Sequence, residues 1–531
     1  MRSKIKLLSS LAPNNLFTAE SLNLVKHLHC IFDEDRRQLL ADRQIRQTAF
    51  DQGKFPGYIH DHPAVTANWQ VAAIPADVQD RRVEITGPVS DAKMVINMLS
   101  AGPQGICADM AMLDFEDSMK PSWQNVVQGI DNVRHAVMGD LTYTRPADAQ
   151  SSEKVYRLNP ARMAHVMVRV RGLHLEETNV QVDDMPVSAG LFDLVMCAVH
   201  TARLQLQARK TPMFYIPKCE HFMEARWWHR VFTELERQLD IPYGSLRTTF
   251  LIETLPAAFQ VEPILFEIRD RAVGLNGGRW DKIFSDIKTL RNHPNRVIAD
   301  RGWIDMTKPW MDNYVKHLIQ VCHKHGAFAM GGMSAFTPGK DEATRQFQTE
   351  KVLSDKAREA AIGHDGCWVS HPYFIASARA QFTERNQLLR KLEDFDPMPD
   401  LLPQAIGPKT MKGLRTNIRV SIAYMEGWHQ NQGCISFDNL MEDLATFEIS
   451  RAQTWQWLRH QVTLEDGTVM SNALVQTIFT EEAERLIHER CERGTDSTAS
   501  ASITAAQDEA QELFLRKELP DFLTLRSERA Q

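Results

Sequence analysis

Eight short runs of apolar and β-branched residues recur along the middle of this chain, at 83–86, 106–114, 165–170, 213–216, 249–253, 272–275, 328–331 and 367–370. Each is followed by a turn and then by a stretch with helical spacing. Strands alternating with helices predict parallel strands joined by crossover helices. Eight such units close most simply into an α/β fold of the (β/α)8 TIM-barrel type, with a doubly wound open sheet as the alternative. The pattern also fixes where chemistry would sit, because barrels of this kind carry their sites at the carboxyl ends of the strands.

The flanks read differently. Residues 1–80 have helical periodicity at 19–28 and 33–47 and form an N-terminal helical clasp. Residues 81–380 are the barrel, with a β-hairpin inserted near 141–158 around a polar turn at 147–152. Residues 381–531 read as a C-terminal all-helical domain, with helices expected at 384–394, 412–428, 440–459, 471–490 and 505–517. The Ser-, Thr- and Ala-rich stretch 495–506 reads as a loop.

Charge narrows the function. With 61 Lys and Arg against 68 Asp and Glu, the net charge of −7 argues against nucleic-acid and membrane-surface partners. The eight cysteines form no CxxC pair, and no secretory leader is read at the N-terminus, so a reduced, cytoplasmic protein is expected. No apolar run is long enough for a membrane span, and the last three residues are no peroxisomal signal.

The stretch Gly274-Leu275-Asn276-Gly277-Gly278-Arg279-Trp280-Asp281 reads as a strand, a glycine turn and a helix start. Backbone N–H groups at a helix start suit an anion, and the adjacent carboxylate suits a divalent cation. Glycine turns also serve backbone geometry alone. Polar residues at the other strand ends converge on the same mouth: Asp114, Glu116 and Asp117, then Arg169 and Arg171, then Lys218, then Glu253. Glu253 and Asp281 form the best metal pair, since two carboxylates with waters and a bidentate substrate complete an octahedron for Mg²⁺. Outside the barrel, Glu442 and Asp443 stand where a loop enters a helix, a place an acidic residue also occupies for the helix dipole alone.

Several motifs together carry a resemblance. They are Ile85-Thr86-Gly87-Pro88, Asp114-Phe115-Glu116-Asp117-Ser118, Arg169-Val170-Arg171-Gly172-Leu173-His174, Leu251-Ile252-Glu253-Thr254-Leu255-Pro256 and the glycine turn above. Gly326-Ala327-Phe328-Ala329-Met330-Gly331-Gly332-Met333, Gly363-His364-Asp365-Gly366 and Leu440-Met441-Glu442-Asp443 complete them. In this order they resemble the malate synthase family, in its shorter A-type form.

The resemblance implies an acyltransferase of the glyoxylate bypass and tricarboxylic acid cycle chemistry. It would join acetyl-CoA to glyoxylate and hydrolyse the thioester to malate and CoA. It implies Asp443 as catalytic base, Arg169 as its electrophilic partner, and Glu253 and Asp281 as Mg²⁺ ligands. Gly278, Arg279, Trp280 and Asp281 would hold glyoxylate, and Ser118 and Pro338 would lie near acetyl-CoA. The protein would act as a monomer or a homo-oligomer. Two departures stand out: Arg271 replaces a frequent histidine before the Gly-Leu-Asn, and Lys282 replaces a usual tyrosine after the Trp-Asp. Both would add positive charge near the metal site. A lyase acting on malyl-CoA or another β-hydroxyacyl-CoA, and a catalytically impaired CoA-binding paralogue, are the competing readings.

Overall fold

A computed structural model describes residues 3–147, 152–492, 499–520 and 522–524. The chain divides into two compact units. The first comprises Met1–Gln44, Gly57–Gly278 and Val315–Met398; the second comprises Ile45–Pro56, Arg279–Tyr314 and Pro399–Gln531.

The first unit is built on a closed barrel of eight parallel strands. They are β1 (Val83–Pro88), β2 (Met110–Asp114), β3 (His165–Arg169), β4 (Met213–Ile216), β5 (Arg247–Ile252), β6 (Ala272–Gly277), β7 (Phe328–Ser334) and β8 (Gly366–Val369). Each strand pairs with its chain neighbours, and β8 closes on β1. The strands are buried on both faces, which is why they appear in the sequence as nearly continuous apolar runs. Met110, Met112, Met167, Tyr215, Leu251, Val273, Met330 and Trp368 belong to one buried core. Beside them Arg81 donates to Glu84, Thr249 and Tyr215, and Glu84 also accepts from Tyr215 and Trp368. That buried charge is thus fully paired, as an interior ion must be.

The second expected strand begins late. Gly102 N–H donates to the Ile106 carbonyl, and Gly105 adopts a φ of +73°. That closes a turn through 102–106, so the strand starts only at Met110. In the N-terminal part, one helix, Ala19–Asp51, replaces the two expected, and Ile5–Leu7 is a strand paired with Glu176–Val182. Within this unit Trp227 donates to the Phe32 carbonyl and Arg43 grips Glu224 through two bonds of 2.7 and 2.8 Å. These bonds dock the helix on Phe222–Gln238. The inserted hairpin is present as Thr142–Arg145 paired with Lys154–Arg157, and 148–151 of its turn lie outside the described residues.

The second unit is helical, with helices at Trp280–Thr289, Met411–His429, Leu444–Arg459, Asn472–Glu492 and Ala499–Phe514. Two expectations fail here for physical reasons. Asp438 and Asn439, at φ of +47° and +62°, make a two-residue turn between Ile435–Phe437 and Leu440–Glu442. Positive φ at both positions selects a β-hairpin, so 440–442 is strand and the helix starts at Leu444. The Ser/Thr/Ala-rich stretch is helical from Ala499, because Ile503 and Ala506 are buried in the core and Ser502 bonds Glu426. Residues 495–498 lie outside the described residues.

A third expectation fails in the first unit. Residues 384–394 form turns instead of a helix. Their polar groups have partners elsewhere: Gln387 N–H donates to Asp365, and the Leu392 carbonyl accepts from Gln320.

Candidate active site

At the carboxyl ends of β2 to β5 the first unit gathers a dense charge cluster. Asp114, the last residue of β2, is fully buried and accepts from Arg169 at the end of β3 through two bonds of 2.6 and 2.7 Å. The same carboxylate takes the Ser118 hydroxyl at 2.5 Å and the N–H groups of Glu116 and Ser118 at 2.9 Å. The Ser118 hydroxyl therefore braces Asp114. A bidentate guanidinium–carboxylate pair locks the plane and direction of Arg169. Its remaining terminal nitrogen lies 3.3 Å from Glu116, and the guanidinium stands over the Trp368 ring at 5.8 Å.

Lys218 follows β4 with a φ of +54°, a conformation that costs a non-glycine residue energy and concentrates at functional sites. That turn aims its N–H at Glu253, 2.8 Å away, and its ammonium at Asp117, 2.7 Å away. The ammonium also lies 3.3 Å from Glu116 and 3.6 Å from Glu253. Burial works against the Arg169 charge, yet Asp114 and Glu116 hold it well above the ordinary arginine value. Burial and the Asp117 charge drive the Glu116 carboxyl well above its usual range. Burial would raise Asp117 too, but Lys218 and Arg169 carry it below.

Gly278 completes this half. A side chain there would meet Glu253 at 3.3–3.4 Å, so glycine leaves that carboxylate its room. Asp114, Asp117 and Glu253 alone outnumber the two cations Arg169 and Lys218, with the raised Glu116 carboxyl beside them. Pro338 stands in the loop after β7, where Gln348 bonds both of its neighbours, Thr337 and Gly339. Among the described residues no three His, Cys, Asp or Glu side chains converge as a metal-binding set.

The second unit holds the rest of the expected residues. Trp280 opens the helix Trp280–Thr289, with Asp281 in its first turn, and Arg279 at the N-cap makes no side-chain capping bond. Arg279 stacks on the Trp280 ring at 3.9 Å, and Arg301 lies over the same ring at 5.3 Å. Asp443 caps the helix Leu444–Arg459, its carboxylate accepting Thr446 N–H at 3.4 Å. The two helices share a core of Ile283, Phe284, Ile449, Ala452 and Trp455. Burial raises the Glu442 carboxyl, and Arg301 opposes it. Arg301 was not expected from the sequence: it lies in a loop with no motif around it.

The two departures prove locally neutral. Arg271 pairs with Glu236 at 3.1 Å and donates to Thr233. It precedes β6, roughly 20 Å of strand away from the Gly278 end. Lys282 is buried against Asp286 at 2.5 Å.

Comparison with known proteins fits this architecture. Family models for the malate synthase N-terminal domain, TIM-barrel domain and C-terminal region match residues 3–61, 165–396 and 408–530. Malate synthase A of Escherichia coli K12 is 42% identical over 522 residues, covering 96% of this chain and 94% of that protein. The malate synthase of Myxococcus xanthus is 43% identical over 517 residues, covering 96% and 93%. That of Arabidopsis thaliana is 39% identical over 526 residues, covering 96% and 91%. A solved Haloferax volcanii malate synthase with magnesium and glyoxylate is 14% identical, with a TM-score of 0.44, covering 81% and 99%. With three family models spread along its length and relatives this similar over nearly all of it, the chain belongs to the malate synthase family.

Proposed function

We propose that this chain condenses acetyl-CoA with glyoxylate and hydrolyses the resulting thioester, releasing malate and CoA. One observation supports the assignment of roles above others: a buried arginine, Arg169, fixed in direction by Asp114 inside a cluster with surplus negative charge. Asp443 removes a proton from the acetyl methyl group. A thioester methyl is a weak acid, so the enolate oxygen needs a fixed positive partner, and Arg169 supplies it. The enolate carbon then attacks the aldehyde carbon of glyoxylate, forming the new C–C bond and leaving an alkoxide that takes up a proton. Water next attacks the thioester carbonyl, and CoA departs as the thiol.

The N–H groups at Gly278, Arg279, Trp280 and Asp281 hold the glyoxylate carboxylate at the start of a ten-residue helix. Glu253 and Asp281 are the Mg²⁺ ligands in this reading. Hard carboxylate oxygens suit that ion, and the surplus charge beside Glu253 is of the sign a dication offsets. When bound, the ion supplies Lewis-acid polarisation of the aldehyde. Ser118 acts through Asp114, and Pro338 borders the acetyl-CoA path. No disulfide joins any of the eight cysteines among the described residues, which supports a cytoplasmic setting. Among the described residues no helix is long and apolar enough to cross a membrane.

The test is release of CoA thiol from acetyl-CoA, with and without glyoxylate and Mg²⁺, with the product identified. Release that requires both, yielding malate, is expected. Release without glyoxylate, or none at all, would overturn the reading.

A further inference from the structure

The Gly331-Gly332 pair of β7 breaks the barrel's register. Met330 pairs with Gly366 and Met333 with Trp368, so three steps on β7 oppose two on β8. A bulge of this kind kinks its strand and re-aims the residues beyond it, and it persists only if something holds the extra residue. Two buried side chains of the helix Glu342–Ile362 do so. Glu359 accepts the Gly332 N–H at 3.0 Å, and Lys356 donates to the Gly332 carbonyl at 2.7 Å. The two pair with each other at 3.0 Å, and Lys356 is fully buried. A side chain on Gly331 would meet the Glu359 carboxylate at 2.6 Å, so glycine leaves that carboxylate its place on the Gly332 N–H.

The hold extends inward to β6. The Gly331 carbonyl accepts the Asn276 amide at 3.1 Å, and Gly332 lies against the Gly277 carbonyl. Asn276 and Gly277 lead directly into Gly278, which packs on Glu253. An unbroken path of contacts therefore runs from an outer helix to the glycine turn. We propose that Lys356 and Glu359 are positioning residues that set the β7 bulge and, through Asn276, the placement of the turn at Gly277–Gly278 beside Glu253. The proposal rests on the reading of that turn as the glyoxylate and Mg²⁺ site. It predicts that breaking the clamp weakens those two ligands and spares acetyl-CoA.

The experiment compares wild type with Glu359→Ala, Glu359→Gln and Asn276→Ala. Calorimetry measures Mg²⁺ and glyoxylate binding, and steady-state kinetics gives both KM values. Loss of a buried charged hydrogen bond is worth about a factor of ten or more. Glu359→Ala and Asn276→Ala are accordingly expected to weaken glyoxylate and Mg²⁺ about tenfold, with the acetyl-CoA KM within about twofold. Burial pushes the Glu359 carboxyl up to about 7 against the pull of Lys356. Glutamine is thus a close substitute that keeps an acceptor for Gly332, and Glu359→Gln should recover most of the loss.

Unchanged glyoxylate and Mg²⁺ binding in a folded Glu359→Ala would overturn the clamp, as would equal losses for both substrates or a glutamine variant no better than alanine. If Glu359→Ala does not fold, Glu359→Gln and Asn276→Ala carry the same test. A wild type that binds Mg²⁺ and glyoxylate but releases no thiol refutes the proposed reaction and leaves the clamp to be judged on binding. A wild type that binds neither refutes both.

Discussion

The barrel mouth and the Glu442–Asp443 corner hold their carboxylates in opposite ways. In the mouth every acid is gripped: Asp114 by both edges of Arg169, Asp117 by the Lys218 ammonium, Glu253 by the Lys218 N–H. In the corner the Asp443 carboxylate accepts a long bond from Thr446, and Glu442 faces Arg301 from a buried position that raises its carboxyl. Strand ends with bidentate pairs make rigid electrostatics, suited to a charge that must not move. The Asp443 carboxylate instead stands at a helix N-cap, on an element separate from the barrel strands. The proposed division of labour, a fixed cation in the barrel and a base on the helical unit, matches that difference.

The largest effect is expected from Asp443→Asn. Asparagine caps a helix as well as aspartate, so the melting temperature should hold. Turnover should fall on the order of 10³-fold, about 4 kcal/mol of barrier, for a lost general base. Near-normal turnover would remove Asp443 from the chemistry. In the barrel mouth, Asp114→Ala should act through the fold as well as the rate. It removes the bidentate partner of a buried guanidinium that Glu116 and Asp117 still face, a change that costs about 3 kcal/mol. Chemical denaturation measures it, and a loss below about 1 kcal/mol would mean the Arg169 pair is not a rigid anchor.

The contrast was only partly legible in the sequence. The eight strands read clearly because parallel strands buried on both faces are continuous apolar runs. Arg169, Lys218 and Glu253 followed from the rule that barrel sites lie at strand ends. The hairpin before Asp443 did not read, because Asp438-Asn439 is a two-residue signal within a stretch that also fits helical spacing. Lys356 and Glu359 were invisible for another reason. On a helix rich in Lys, Arg and Glu they look like solvent-facing charges, and only the packing against β7 buries them. Arg271 and Lys282 misled in the reverse sense: their charges were read from the sequence, while Glu236 and Asp286, which neutralise them, are set by tertiary structure.

Acid offers a way to probe the barrel unit alone. Burial lowers the His317 pKa to about 4, although Glu262 and Asp396 pull it upward, and its ring meets Tyr58 edge-on. A histidine depressed in the folded state contributes stability that is fully present above about pH 6.5 and is lost as pH falls toward 4. At pH 5 the loss should be about 2 kcal/mol relative to pH 7. His317→Gln should flatten that slope, with other titrating groups common to both proteins cancelling in the difference. Identical slopes in denaturation at the two pH values would show that His317 is not held neutral.

The smallest effect should come from Glu442→Gln. Its carboxyl is raised chiefly by burial, so at neutral pH the charged form is the costly one in the folded protein. Removing the charge lifts that cost but deprives Arg301 of its opposing partner, and the two nearly cancel. The expected change is within about 1 kcal/mol of wild type, against the much larger loss at Asp114. A large destabilisation would mean that Glu442 and Arg301 form an anchor as strong as the one in the barrel mouth. The corner would then be as rigid as the mouth, and the contrast between the two regions would be lost.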